Sequence, residues 1–124
     1  MINGAHTIVY AADPGAARDF FRDVLGLPYV DAGHDWLIFR SPPAELAVHP
    51  ADGSGSGRLE LYLMCDDLSA TMAELTAKGV EFTSEVTDQR WGLLTSLRVP
   101  GAGEIGLYEP KHPTAHDIDG PSLP

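Results

Sequence analysis

A single cysteine, Cys65, stands in 124 residues. It can form no internal disulfide and cannot build a thiolate metal cage, which excludes a disulfide-stapled scaffold and a zinc finger. Basic residues are scarce as well, with eight Lys and Arg against 18 Asp and Glu and a net charge of −10. Such a field repels phosphate backbones and leaves little surface for counterion release, so no nucleic-acid partner is expected. Acidity of this kind serves solubility, and it would also draw in a cationic small molecule. No apolar run reaches the roughly 18 residues of a membrane span. The opening MINGAHTIVYAAD also lacks the basic stretch and apolar core of a secretion signal. No membrane partner and a cytoplasmic location are therefore expected. A glycine-rich phosphate loop and a GxSxG nucleophile turn are both missing, and Cys65 has no histidine near it in sequence.

What remains is an ordinary globular composition, 44% hydrophobic and 21% charged, at a length that suits one domain or two small halves around one core. The chain carries one plan twice. Residues 5–12 read as a strand, Asp13-Pro14 as a helix cap with proline at the first helical position, and Ala17, Phe20, Phe21, Val24 and Leu25 as one buried face. Gly26 closes that helix. In the second copy Leu59–Cys65 reads as a strand, Asp66-Asp67 as the cap, Leu68, Met72 and Leu75 as the buried stripe, and Gly79 as the stop. An offset of 54 residues lays Asp13 on Asp67 and His6 on Glu60.

Short apolar stretches follow each helix: 27–30, 36–40 and 45–49, then 80–82, 93–99 and 105–109. Each half thus reads βαβββ. The predicted fold is α+β, two tandem βαβββ modules (about 5–50 and 58–110) forming a curved mixed sheet around a cleft, because a lone module leaves one sheet face bare. A glycine/serine joint occupies 52–57, and an irregular tail occupies 111–124.

The order of these pieces resembles the vicinal oxygen chelate superfamily of glyoxalases, bleomycin resistance proteins and extradiol dioxygenases. The likeness covers 5–110. It is carried by His6 with DPGAARDFFRDVLGLP, by ELYLMCDDL, by RWGLLTSLRVPG and by the closing IGLYEP. It implies a homodimer, and in many members one divalent metal held from the first and last strands of both halves. Those positions fall here on His6, Glu45, Glu60 and Gly106, of which the last cannot ligate. Matching His49-Pro50 to Glu109-Pro110 instead puts Leu46 opposite Gly106, so Glu45 depends on that register. An imidazole with two carboxylates suits Mn²⁺, Fe²⁺, Ni²⁺ or Zn²⁺. A metal-free, decayed site is equally consistent with the glycine.

Strand alternation places Glu60, Tyr62 and Met64 on the cavity side and Leu59, Leu61 and Leu63 toward the helices. Gly106 and Tyr108 share the cavity side, as do Glu45, Ala47 and His49. A carboxylate there needs a cation, a metal or donors to offset its desolvation, which marks Glu60. The rings of Trp36, Tyr62, Trp91 and Tyr108 suit a flat organic molecule, and the glycine at 106 is expected to open space for it. His112 and His116 have helical spacing, but Pro113 argues against a zinc motif.

Two functions follow, beside a third reading as a scaffold or regulatory dimer whose cavity is plugged by side chains. In one, the dimer binds a small organic molecule, aromatic or cationic, and protects by sequestration without chemistry. In the other it is a divalent-metal-dependent lyase, isomerase or dioxygenase using His6, Glu60 and Glu45, with Glu60 as the catalytic group.

Overall fold

The computed structural model of the chain describes residues 5–51, 53, 56–118 and 120. The joint expected at 52–57 and the tail expected at 111–124 lie partly outside these.

Both helices form where their caps predict. In α1 (Pro14–Asp19) the Asp13 carboxylate accepts from the Ala16 N–H at 3.1 Å, and proline occupies the first turn. The helix continues through Phe20–Val24 as a π-helical turn, with the Leu25 N–H donating to the Phe20 carbonyl. Phe20 is buried, and Phe21, edge-on to it at 5.7 Å, packs against the same core. Gly26 then takes a φ of 67° and stops the helix. Helix α2 (Leu68–Ala77) is capped by Asp67, which accepts from the Ala70 N–H at 3.0 Å. It ends in a pair of reversed bonds, Val80 N–H to Leu75 O and Gly79 N–H to Thr76 O, with Gly79 at a φ of 87°.

Strands β1 (Tyr29–Asp31) and β2 (Leu37–Phe39) form a separate antiparallel hairpin. At its tip the Trp36 N–H donates to the Gly33 carbonyl, and both residues between them are left-handed, His34 at 54° and Asp35 at 62°. Side chains resist that conformation, and glycine is the usual choice in such a turn. Asp35→Gly is expected to raise the unfolding free energy by about 1 kcal/mol, read from urea denaturation.

The main sheet comprises β3 (Tyr62–Met64), β4 (Thr87–Gln89), β5 (Gly92–Val99) and β6 (Gly103–Pro110), in the order β3-β6-β5-β4. It is mixed, because β3 runs parallel to β6 while the other neighbours are antiparallel. Residues 62–110 therefore show the complete βαβββ order. Strand β4 was not read in the sequence, since Thr87–Gln89 is polar and exposed throughout.

The first half departs from expectation. It keeps its helix and hairpin, but residues 5–12 and 45–49 belong to no strand. The reason lies in where α1 packs. Ala17 and Phe20 join Leu68, Leu75, Val80, Leu97, Val99 and Leu107 in one core, so α1 packs into the core of the second-half sheet. The Asp13 N–H also donates to the Gly101 carbonyl at 2.9 Å. Gly101 has a φ of 78°, and a Cβ there would stand 2.5 Å from the Asp13 oxygen, so only glycine permits this approach. With their helix drawn to the second-half sheet, the flanking segments pair with no strand among the described residues. Ile8, Tyr10, Leu46 and Val48 stand exposed there.

Candidate functional site

The face of the main sheet away from the helices is built as strand alternation predicts from Tyr62 onward. Before β3 begins the alternation lapses, and Leu59 and Leu61, expected toward the helices, line the cavity instead, Leu59 fully in the open. Leu63, Thr95, Leu97, Ile105 and Leu107 point to the core, leaving Tyr62, Met64, Leu94, Ser96, Gly106 and Tyr108 on the other side. Over this face lies an open cavity of about 540 Å³, lined among others by Glu60, Tyr62, Glu85, Ser96, Glu104 and Gly106.

Two tyrosines pave the face by lying on neighbouring glycines. Tyr62 pairs with Gly106 across β3 and β6, and a Cβ on Gly106 would stand 2.1 Å from Tyr62 Cδ1. Tyr108 covers Gly92 in the same way, with Cε2 2.6 Å from a Cβ placed there. The space expected at Gly106 is thus filled by a ring, which corrects the reading that this glycine opens the pocket. Tyr62 and Tyr108 meet edge to face at 6.2 Å, and Trp91 meets Tyr108 at 5.7 Å. Both geometries are favourable aromatic contacts. His49, from the first half, extends the row at 6.4 Å from Trp91. Trp36 does not join it. That ring is 59% exposed in the β1–β2 turn.

Glu60 anchors one end of the row. Its Oε2 accepts from the Tyr62 hydroxyl at 2.9 Å, and its Oε1 faces the Arg58 guanidinium at 3.0 Å. The carboxylate is partly exposed, so the heavy desolvation expected of it is absent. At the other end the Glu45 carboxylate accepts from the Ala115 N–H at 2.6 Å. His112 contacts the Tyr108 hydroxyl, and the Lys111 N–H donates to the Trp91 carbonyl. His49 and His112 were not read as site residues. The one signal for His112 was its position four residues after Tyr108, just beyond the strand end.

Burial pushes the Tyr62 phenol up, and the hydrogen bond to Glu60 adds to it. Burial raises Tyr108 too, reinforced by the Glu45 charge. A phenol whose folded pKa is raised lends stability that is complete below the ordinary phenol range, near pH ~10, and is lost as pH climbs through the raised value. Ultraviolet phenolate titration is therefore expected to show both residues ionising late, with Glu60→Gln bringing Tyr62 back toward the ordinary range.

A divalent metal would need His6, Glu45 and Glu60 together. His6 is exposed on the unpaired segment, Glu60 and Glu45 are engaged as above, and the fourth position lies under the Tyr62 ring. Among the described residues no three His, Cys, Asp or Glu side chains are grouped to hold an ion.

A family model described as the glyoxalase/bleomycin resistance protein/dioxygenase superfamily matches residues 4–112. Among solved structures, the antibiotic binding protein TnmS3 of Streptomyces sp. CB03234 shares the fold at a TM-score of 0.62, with 24% identity over 90% of this chain and 99% of its own. Lactoylglutathione lyase of Agrobacterium tumefaciens aligns at 0.61, with 19% identity over 86% and 92%. A glyoxalase/bleomycin resistance protein, also of Streptomyces sp. CB03234, aligns at 0.54, with 25% identity over 82% and 95%. No curated protein matches the sequence significantly. No helix among the described residues is long and apolar enough to cross a membrane.

Proposed function

Since the chain belongs to the glyoxalase/bleomycin resistance protein/dioxygenase superfamily, we propose that it is a receptor for a small planar organic molecule, held over the tyrosine-paved face and sequestered there. The observation that carries this reading is the row Tyr62–Tyr108–Trp91 laid on Gly106 and Gly92 beside the open cavity. Rings seated against glycines and edge to face with each other present faces and edges to a guest with little side-chain entropy left to lose. That a protein of the same fold binds an antibiotic is in keeping with a small organic guest.

The receptor works as a homodimer. The chain exposes 9448 Å², about 3,000 Å² more than a compact monomer of this mass, by the usual scaling of surface with size. Two chains together carry about 6,000 Å² of such excess, at the top of what obligate dimers bury in total. Ile8, Tyr10, Leu46, Val48 and Leu59 are all at least 61% exposed, and most lie in the segments that lack strand partners. A second copy supplies those partners, completes the first βαβββ module and closes the cleft. Sedimentation should give a dimer, and Val48→Asp should shift it to monomer.

Calorimetric titration with planar bicyclic aromatics tests the binding itself. Saturable binding weakened about tenfold by Tyr62→Ala is expected, the size of one lost aromatic contact with its burial. Metal analysis of the purified dimer separates the other reading. Stoichiometric metal lost in Glu60→Ala would replace the receptor with a metal-dependent enzyme.

A further inference from the structure

One ring beside the aromatic row, that of His112, has no task in this receptor. Lys111 seats the chain just past β6, its N–H donating to the Trp91 carbonyl at 2.9 Å and its ammonium reaching Asp88. This delivers His112 to Tyr108, with ring centroids 5.8 Å apart and Nε2 at the phenol hydroxyl. The other ring nitrogen, Nδ1, lies 2.7 Å from the Pro113 carbonyl oxygen. A carbonyl can only accept, so Nδ1 carries the hydrogen. In the neutral ring Nε2 is then a bare lone pair, and the Tyr108 O–H must be the donor between them.

We propose that His112 is a specificity-determining residue, which takes up the Tyr108 proton donor and leaves Tyr108 able to offer a ligand only a lone pair. The inference rests on the receptor reading above. The neighbouring carboxylate works in the same sense. Glu45 only accepts, one of its oxygens is already taken by the Ala115 N–H, and its charge adds to burial in favouring the protonated Tyr108 phenol. The Trp91 indole N–H, a donor, lies further along the row, whereas at the Tyr108 hydroxyl only acceptors are presented. A planar guest whose edge bears a phenolic O–H or an N–H satisfies them, whereas one with an ether or carbonyl at that edge leaves acceptors facing acceptors.

The test uses the full chain and two probes of nearly equal shape, a naphthol and its methyl ether. By calorimetry the wild type should prefer the naphthol about tenfold, the scale of one unsatisfied polar group. In His112→Phe the Tyr108 O–H is released to donate to the ether oxygen, and the preference should fall to about threefold or less, with naphthol binding retained. A nitrogen–proton correlation spectrum of the free wild type should show the neutral His112 ring protonated at Nδ1. Naphthol binding with an unchanged preference in His112→Phe, or a neutral ring protonated at Nε2, overturns the role of His112 alone. Failure of both probes to bind any variant overturns the receptor reading and the selectivity with it.

Discussion

Gly106→Ala is expected to lower the unfolding free energy by about 2 kcal/mol and to weaken planar-ligand binding about tenfold, effects typical of overpacking and of one lost aromatic contact. The new Cβ would stand 2.1 Å from Tyr62 Cδ1 and 2.9 Å from Cγ. Because Cγ lies at the root of the ring, no small rotation clears the clash, and Tyr62 must leave its rotamer or β3 must shift. Swinging the ring out breaks its hydrogen bond to Glu60 and its edge contact with Tyr108. Urea denaturation and calorimetric titration of the one variant read both effects. Tyr62→Ala in the Gly106→Ala background should regain most of the stability while leaving binding weak, since the clash is gone but so is the ring.

Leu97→Ala should cost more stability, about 3–4 kcal/mol by the usual range for a buried leucine, and leave the face of the sheet toward the cavity unaltered. Leu97 is fully buried in β5, on the core side, in one cluster with Ala17 and Phe20 from the first half and Leu68, Leu75 and Leu107 from the second. Its neighbours are held by two helices and a four-stranded sheet, so the cavity left behind can collapse only in part. A much smaller cost would mean that the two halves do not share this core. Denaturant unfolding gives the number directly.

The core was legible in the sequence because helix signals are local. Asp13-Pro14 with Gly26, and Asp67 with Gly79, bracket their helices by cap chemistry that depends on a few adjacent residues. The π turn at Phe20–Val24 was not, since nothing in the spacing of its apolar residues separates it from an ordinary helix. In β6 the alternation of apolar and small residues gave Ile105 and Leu107 as the core row, and with it Gly106 and Tyr108 on the opposite face. Alternation says which way a residue points, though not what lies over it. Gly106 was correctly placed on the cavity side, but the ring covering it belongs to a cross-strand neighbour that only the register Tyr62 to Gly106 reveals. Residues 5–12 and 45–49 have strand-like sequences, and a strand exists only where another offers it hydrogen bonds. Whether the offer comes from the same chain is not written in either segment. His112 was weighed only with His116 as a zinc motif, because a tail without periodicity gives no sign of where it folds back.

Ring-proton NMR of the wild-type protein, titrated with a naphthol, bears most directly on the claim that the tyrosine-paved face is the receptor surface. The expected result is saturable shifts at Tyr62, Tyr108 and Trp91 with one common affinity, while Tyr29 and Trp36 in the hairpin stay unmoved. Shifts at the hairpin rings alone, or none at the three rings of the main sheet at any probe concentration, would contradict it.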